Sequence, residues 1–294
     1  MEAQITEQAL ALRARDGIAL AVREWNAPDI PVRAVMVVAH GMGEHSGRYG
    51  GPLGPVIASG VRTYALDHRG HGQSIVPGDE PGDYGPGGFA GVVSDLHALV
   101  LQARAENPGL PLILLGHSMG SMISQAFVLD HSDAIDGLVL TGSAAVDVLA
   151  AAGATNPAIL ESLNIPFEPA RTPFDWLSRD EHEVDLYLTD PLCGFGLTPT
   201  SFIELFSQGA ALADPVRIAA IRHDLPIWIT SGDQDPLHSM LNALTPLIGR
   251  YRAAGLDVST TLYPGARHEI LKETNRDEVI GDLMRFIGMV GPVG

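Results

Sequence analysis

The sequence of 294 residues contains one cysteine, Cys193, and few basic side chains. A single cysteine excludes an internal disulfide and fits a reducing compartment. The chain has 18 lysine and arginine residues against 35 acidic ones, which gives a formal charge of −17. It contains no basic cluster. Because nucleic acids and anionic membranes attract clustered basic residues, we expect neither as an electrostatic partner.

The sequence also lacks long apolar runs and a secretion signal. Its apolar runs, such as 34–39, fall far short of the roughly 20 residues that cross a bilayer. Residues 1–7 contain neither the basic nor the apolar region of a signal peptide. We therefore expect a cytoplasmic protein without stable membrane insertion. Hydrophobic residues make up 46% and charged residues 18% of the chain, which predicts a large folded core.

The most informative stretch is Gly116-His117-Ser118-Met119-Gly120, which lies between two apolar segments, 111–115 and 121–128. The first is typical of a buried strand and the second of a buried helix. A G-x-S-x-G pattern at such a corner indicates a nucleophile elbow, in which the serine is strained and its hydroxyl projects from the turn. We therefore predict Ser118 as a nucleophile. The alternative, a surface serine in a glycine-bounded turn, predicts no matching acid and base downstream.

Strand and helix patterns alternate along most of the chain. Asp16-Gly17 predicts a hairpin between strands at 9–12 and 18–22. Further strands are predicted at 34–39, 61–66, 111–115, 137–142, 226–230 and 258–263, with helices at about 52–59, 89–103, 121–128, 239–254 and 275–289. This alternation predicts an α/β fold with a mostly parallel central sheet and helices on both faces. It stops over 143–225, which we interpret as an inserted helical cap, or lid, on a core domain of residues 1–142 and 226–294.

A serine nucleophile needs an imidazole to take its proton and a carboxylate to orient that imidazole. In parallel sheets such groups collect on loops at the carboxyl ends of the strands. The loop after strand 226–230 offers Asp233 and Asp235, and the loop after strand 258–263 offers His268. The order serine, aspartate, histidine is that of α/β-hydrolases. Spacing alone leaves the choice between the two aspartates open.

The tetrahedral intermediate of acyl transfer requires preorganised N–H donors for its oxyanion. One is the residue after the nucleophile, Met119, at a helix N-terminus. The glycine-rich loop after strand 34–39 should supply the second, at Met42. His68 and His71 are three residues apart without a clustered third ligand, and the glycines do not follow a phosphate-cradling pattern. The sequence therefore predicts no metal and no cofactor.

Six segments taken together are typical of one enzyme family: His40-Gly41-Met42-Gly43-Glu44-His45-Ser46-Gly47-Arg48-Tyr49, Asp67-His68-Arg69-Gly70-His71-Gly72-Gln73-Ser74, Gly116-His117-Ser118-Met119-Gly120, Asp190-Pro191-Leu192, Gly232-Asp233-Gln234-Asp235 and Tyr263-Pro264-Gly265-Ala266-Arg267-His268-Glu269. In these segments the chain resembles the monoacylglycerol lipase and lysophospholipase branch of the serine α/β-hydrolases. The resemblance extends over nearly the whole chain, from about residue 8 to 289. The resemblance implies the α/β-hydrolase fold.

The same resemblance implies a triad of Ser118, Asp235 and His268, since the family's acid is the second aspartate of a G-x-x-D pattern. It implies Met42 and Met119 as the oxyanion donors.

Four further residues match positions near the glycerol or head-group end of the substrate in such enzymes. They are Glu44, Arg48 and His117, with Tyr187 of the cap near the same end. A packing role for His117 and an ion-pair role for Arg48 are the alternatives. The insertion 143–225 follows the family pattern only in its second half.

We expect a serine hydrolase that cleaves small monoacyl esters, with transient lipid contact through the cap; the sequence leaves the oligomeric state open. The alternatives are a lactonase, a thioesterase or other acyl-transfer enzyme on the same fold, a cofactor-free lyase on that fold, and a non-catalytic binding protein. Apolar residues in the cap predict either an inner face for the acyl chain or ordinary packing: Ala145, Val146, Val148, Leu149, Ala150, Ala151, Ala152, Ile159, Leu160, Leu163, Ile165 and Phe167.

Overall fold

The computed structural model describes residues 3–153, 157–238 and 241–291, with the backbone alone for 157–160. The strands are β1 (Thr6–Arg13), β2 (Ala19–Asn26), β3 (Ala34–Ala39), β4 (Val61–Leu66), β5 (Leu112–His117), β6 (Gly137–Thr141), β7 (Ile227–Gly232) and β8 (Val258–Tyr263). In the described residues these eight strands form one sheet, in the order β1-β2-β4-β3-β5-β6-β7-β8. The β1–β2 and β2–β4 pairs are antiparallel, and the other pairs are parallel.

The helices fill the connections between the strands. The α-helices are α1 (Gly54–Ala58), α2 (Gly88–Glu106), α3 (Met119–His131), α4 (Val146–Ala151), α5 (Glu181–Thr189), α6 (Pro199–Ser207), α7 (Gly209–Leu212), α8 (Pro215–Ala219), α9 (Leu244–Ala253) and α10 (Arg276–Met289). Short 3₁₀ helices lie at Ser46–Tyr49, Gly72–Ser74, Gly85–Gly87, Ser132–Ala134, Pro157–Phe167, Asp175–Leu177, Pro236–His238 and Ile270–Lys272.

The central strands are apolar throughout because both faces of the sheet are covered. Along β3, Val35 and Val37 belong to the cluster that contains residues of α2, α3 and α9. Met36 and Val38 belong to a second cluster with residues of α1 and α10 on the opposite face. Successive side chains of a strand point to opposite faces, so a strand between two helical layers needs an unbroken apolar run. The predicted α/β architecture is confirmed.

The N-terminal hairpin forms an antiparallel edge of the sheet. Its turn contains Gly17 at φ +91°, a conformation that glycine adopts without a side-chain clash. The amide of Ala14 donates to the carbonyl of Ile18 at 2.9 Å and closes the turn. Both strands extend beyond the predicted 9–12 and 18–22 because their backbones pair along their full length.

The helix predicted at 239–254 is shorter than expected. It begins at Leu244, and residues 239 and 240 lie outside the described residues. Leu241 has φ +75°, which an α-helix does not accommodate, and its amide donates to Nδ1 of His238 at 2.9 Å. This local turn delays the start of the helix.

The described residues of the segment 143–225 form the helices α4 to α8 and short 3₁₀ helices, joined by turns and loops, and contain no strand. Some of its apolar side chains belong to the same buried cluster as the sheet: Val146, Phe202 and Ile218 are members, as are the strand residues Leu138 and Leu140. The division into a core domain and a cap stays a prediction. No helix in the described residues combines the length and the apolar character needed to cross a membrane.

Candidate active site

Ser118 lies at the corner between β5 and α3 with φ 53° and ψ −121°. A positive φ is strained for a residue with a side chain, at a cost of about 1–3 kcal/mol. The surrounding structure enforces it, because the amide of Ser118 donates to the carbonyl of Thr141 on β6 at 2.9 Å. The strand–turn–helix context predicted for this serine is therefore present.

The two glycines of the elbow have no room for a side chain. A Cβ on Gly120 would overlap the carbonyl oxygen of Ala39, and a Cβ on Gly116 would lie 2.6 Å from the carbonyl oxygen of Gly120. These atoms belong to the backbone and cannot rotate away. Close packing of α3 against β3 and β5 thus explains both glycines.

Of the two candidate acids, the structure brings Asp235 to the histidine. Its Oδ2 lies 2.8 Å from Nδ1 of His268, and both side chains are buried. The amide of Leu237 donates to Oδ1 at 2.9 Å. Burial opposes ionisation, but the charge and hydrogen bond of His268 outweigh it and lower the pKa of Asp235 to about 2. Asp233 instead accepts from the amide of Gly265 at 2.8 Å.

The imidazole of His268 is positioned by contacts from three other segments. Its ring centroid lies 4.9 Å from that of Trp176 and 4.8 Å from that of His117. A Cβ on Gly142 would approach its ring to 2.9 Å, so the loop after β6 closes over it. Burial disfavours the charged ring, yet the carboxylate of Asp235 dominates the balance and the pKa of His268 is raised.

The loop after β3 approaches the serine closely. A Cβ on Gly41 would lie 3.2 Å from Cβ of Ser118, and the amide of Gly41 donates to Oε1 of Glu44 at 2.6 Å. Met42 of this loop and Met119 at the start of α3 line the same cavity as Ser118. The structure therefore brings both predicted oxyanion residues to the serine.

Glu44 belongs to a buried ionic network at the polar end of this cavity. Arg48 donates to Glu44 at 2.7 Å and to Oε2 of Glu269 at 2.9 Å, and Nζ of Lys272 lies 3.8 Å from Glu44. Burial raises the pKa of Glu44, but the charges of Lys272 and Arg48 outweigh it and hold that pKa well below its usual range. The hydroxyl of Tyr49 also donates to Glu44.

The four predicted head-group residues differ in their access to the cavity. Glu44, His117 and Tyr187 line it, whereas Arg48 lies behind Glu44 and is not part of the described wall. Nδ1 of His117 lies 3.0 Å from the hydroxyl of Thr141, and burial, followed by the charge of His268, lowers its pKa to about 3. The neutral ring of His117 can therefore donate or accept hydrogen bonds without adding a charge to the cavity.

Tyr187 connects α5 to the loop after β3. Its hydroxyl donates to the carbonyl of Gly43 at 2.9 Å, and the guanidinium of Arg48 lies 4.8 Å from its ring centroid. The amide of Gly194 donates to the same carbonyl at 3.0 Å. The segment 143–225 is thus hydrogen-bonded to the loop that carries Met42.

The cavity has a volume of about 420 Å³. Its apolar wall includes six side chains that were not identified from the sequence: Phe174, Trp176, Leu177, Phe195, Leu205 and Phe206. Of the apolar cap residues named from the sequence, Leu163 lines the cavity, Val146 and Leu149 are buried in the core, and Ile165 is 65% exposed. The side chains of Ile159 and Leu160 lie outside the described residues. An apolar stretch alone therefore did not identify the wall.

Glu44, His117 and Glu269 bring ligating atoms within 4.8 Å of one another, as a metal site would require. The cationic groups of Arg48 and Lys272 already balance the two carboxylates at this position. A metal ion would have to displace these cations, so this donor set does not fit one.

The fold agrees with comparisons to known proteins. The profile of the family described as serine aminopeptidase, S33 (Hydrolase_4) matches residues 30–275. The chain belongs to this family. It is 33% identical over 280 residues to the monoacylglycerol lipase of Mycolicibacterium smegmatis, which covers 92% of this chain and 93% of that protein.

Two further proteins are similar to the chain over most of its length. The chain is 31% identical over 291 residues to the monoglyceride lipase of Homo sapiens, covering 93% of this chain and 87% of that protein. The crystal structure of a highly thermostable carboxyl esterase from Bacillus coagulans in complex with glycerol superposes with a TM-score of 0.85 at 27% identity, covering 97% of this chain and 99% of that one. The predicted resemblance and the α/β-hydrolase fold are confirmed.

Proposed function

We propose that this chain is a carboxylic ester hydrolase that cleaves single-chain esters, monoacylglycerols above all, through an acyl-enzyme on Ser118. The observation that carries the proposal is the buried Asp235–His268 pair, joined at 2.8 Å, on the cavity that also contains the strained Ser118. The names of the relatives, two monoglyceride lipases and a carboxyl esterase bound to glycerol, support the substrate class.

In the proposed reaction the hydroxyl oxygen of Ser118 attacks the ester carbonyl carbon, and its proton passes to Nε2 of His268. Asp235 accepts the Nδ1–H bond and stabilises the imidazolium. The amides of Met42 and Met119 donate to the oxyanion. His268 then protonates the leaving alcohol, and the acyl group stays on Ser118 until water, activated by the same imidazole, releases the acid.

The two ends of the cavity suit the two parts of such a substrate. Glu44, His117 and Tyr187 supply hydrogen-bonding groups for a small hydroxylated alcohol, and the aromatic and aliphatic wall accepts the acyl chain. Arg48 acts on Glu44 rather than on the substrate. Residues 143–225 form a cap that supplies most of the apolar wall. Exposed apolar side chains on this cap, such as Ile203 at 60% exposure, provide its transient lipid contact.

The family description raises aminopeptidase activity as a second candidate. An aminopeptidase must bind the substrate's α-ammonium group with a free carboxylate or carbonyl. Two carboxylates on the cavity wall, Glu44 and Glu269, are neutralised by Arg48 and Lys272. The polar end is therefore better suited to neutral hydroxyls than to a cation.

The proposal is tested by measuring kcat/KM for mono-, di- and triacylglycerols of equal chain length, with an aminoacyl anilide as the peptidase substrate. We expect the monoacyl ester to be cleaved fastest, because the additional chains do not fit the polar end. Each added methylene should raise kcat/KM up to about fourfold until the cavity is full, from about 0.8 kcal/mol per buried CH₂. Ser118→Ala should abolish both turnover and labelling by a fluorophosphonate.

Equal or faster cleavage of the triacyl substrate would contradict the substrate class and leave a general esterase. Labelling that persists in Ser118→Ala would contradict the nucleophile. Faster cleavage of the anilide than of every ester would favour the peptidase alternative.

A further inference from the structure

Three metal-ligating side chains converge outside the catalytic cavity, where the segment after α5 meets the loop after β3. His45, Asp190 and Cys193 each offer an atom within 4.8 Å of the other two. None of the three belongs to the described wall of the cavity. We infer that they form a binding site for a borderline divalent cation, Zn²⁺ above all, that clamps this segment to the loop.

The donor set and its spacing favour zinc over the hard cations. Imidazole nitrogen, thiolate and carboxylate are its usual ligands, and Mg²⁺ or Ca²⁺ would require oxygen donors alone. Tetrahedral zinc with bonds of about 2.0–2.3 Å holds its ligand atoms roughly 3.4–3.8 Å apart. Nε2 of His45 lies 2.8 Å from Oδ2 of Asp190, so this pair must open slightly, and the thiol lies within 4.8 Å of both atoms. Asp190 and Cys193 are both partly exposed, which leaves water access to a fourth position.

Loading the site has a defined proton balance. The thiol of Cys193 loses its proton to solvent as the metal–sulfur bond forms; burial raises the pKa of this thiol to about 12. The amide of Gly47 donates to Nδ1 of His45 at 3.2 Å, so Nε2 carries the proton and donates to Asp190. Metal binding at Nε2 moves that proton to Nδ1 and ends the bond from Gly47. These costs oppose metal binding, as is general for ligands that must lose or move a proton.

The local charges are balanced once the ion is bound. A divalent cation, the Asp190 carboxylate and the Cys193 thiolate sum to zero. The nearby guanidinium of Arg48 is already paired with Glu44 and Glu269, so it opposes the ion only weakly. The formal charge of the chain, −17, further favours cation uptake.

The bound ion would restrain the segment that joins α5 to α6. Cys193 precedes Gly194, whose amide donates to the carbonyl of Gly43 beside Met42, and the next residue, Phe195, lines the cavity. A metal bond between Cys193 and His45 therefore reinforces the junction between the cap and the oxyanion loop. We expect slower turnover in the loaded protein. This effect rests on the proposed function, whereas metal binding does not.

Cobalt(II) is a direct probe of this site. Cys193 is the only cysteine, so a sulfur-to-cobalt charge-transfer band reports this residue alone. We expect one equivalent of Co²⁺ to produce the band in the wild-type protein and Zn²⁺ to displace it. Cys193→Ala should abolish the band, and Asp190→Asn should weaken Co²⁺ binding at least about tenfold.

His97→Ala is the matched control, because His97 lies away from the proposed site and stacks on His131 with ring centroids 3.7 Å apart. The charge-transfer band of this variant should equal that of the wild type. Absence of the band in the wild type, or unchanged affinity in Asp190→Asn, would refute the three-ligand site. Zn²⁺ should inhibit ester hydrolysis by the wild type and not by Cys193→Ala; equal inhibition of both would refute the clamp. The band is measured without turnover, so failure of the metal site and failure of the proposed function are distinguishable.

Discussion

Asp235→Asn is the substitution for which the structure gives the most specific expectation. The amide of Leu237 donates to Oδ1 of Asp235 at 2.9 Å, so the asparagine oxygen is required at that position. The NH₂ group then occupies the position of Oδ2, 2.8 Å from Nδ1 of His268. An N–H donor at this point favours the tautomer with its proton on Nε2. That tautomer cannot accept a proton from Ser118.

The magnitude of the loss follows from this competition. The wrong tautomer costs up to about 10⁴-fold in kcat, or about 5.5 kcal/mol at 1.36 kcal/mol per tenfold. Flipping the amide would restore the tautomer but would set its NH₂ against the N–H of Leu237, at about 1–3 kcal/mol for the unsatisfied groups. The flip alone would limit the tautomer penalty to about 5- to 150-fold, but the carboxylate charge that stabilises the imidazolium is lost in either orientation of the amide. We therefore expect a loss of about 10- to 10⁴-fold.

The assay is kcat on a monoacyl ester, with urea denaturation to confirm folding. Asp233→Asn is the control, because Asp233 accepts from the amide of Gly265 through Oδ1 and an asparagine oxygen can do the same. We expect this control to stay within about threefold of the wild type. A loss below tenfold in Asp235→Asn, or a larger loss in Asp233→Asn, would refute the assignment of the acid.

Two further predictions concern the protonation of His268 and the packing of the elbow. Because the charged imidazole cannot accept a proton, and the Asp235 carboxylate raises its pKa, kcat/KM should fall with increasing acidity at a midpoint above the ordinary histidine value of about 6.5. The midpoint should move to lower pH in Asp235→Asn; a wild-type midpoint below 6.5 would contradict this. Gly120→Ala should lose more than about 3 kcal/mol of unfolding free energy, since its Cβ meets the backbone of Ala39. The control Gly281→Ala, in α10 with open space around it, should gain about 0.5–1 kcal/mol in the same urea titration, and similar effects of the two would count against the steric argument.

The central sheet could be predicted from the sequence because its burial produces a local signal. The strands at 34–39 and 61–66 have the predicted bounds, since each is a largely buried segment between turn residues. The elbow could be predicted for the same reason, as its strand, turn and helix are contiguous in the chain. The choice of Asp235 over Asp233 required the family resemblance, because both follow the same strand.

The walls of the cavity could not be predicted because they depend on contacts between distant segments. Trp176 packs on His268 at a sequence separation of 92, and Arg48 pairs with Glu269 at a separation of 221. No periodicity connects such residues. The adjacency of Glu269 to His268 was the one available signal of that ion pair. Ile165 shows the converse error, because an apolar residue in an apolar stretch lies 65% exposed.

The shared apolar cluster of the sheet and residues 143–225 limits how specificity can be exchanged between related enzymes. Side chains such as Phe202 and Ile218 belong to the same buried apolar cluster as Leu140 and Ile229 of the sheet, so excising this segment would remove part of that shared core. A chimera that receives the corresponding segment from another enzyme must therefore also receive the sheet residues that face it. Exchange of the whole segment 143–225 would alter both folding and the preference for acyl-chain length. Substitutions confined to the cavity wall, at Phe174 or Phe206, would alter the chain-length preference without disturbing the shared core.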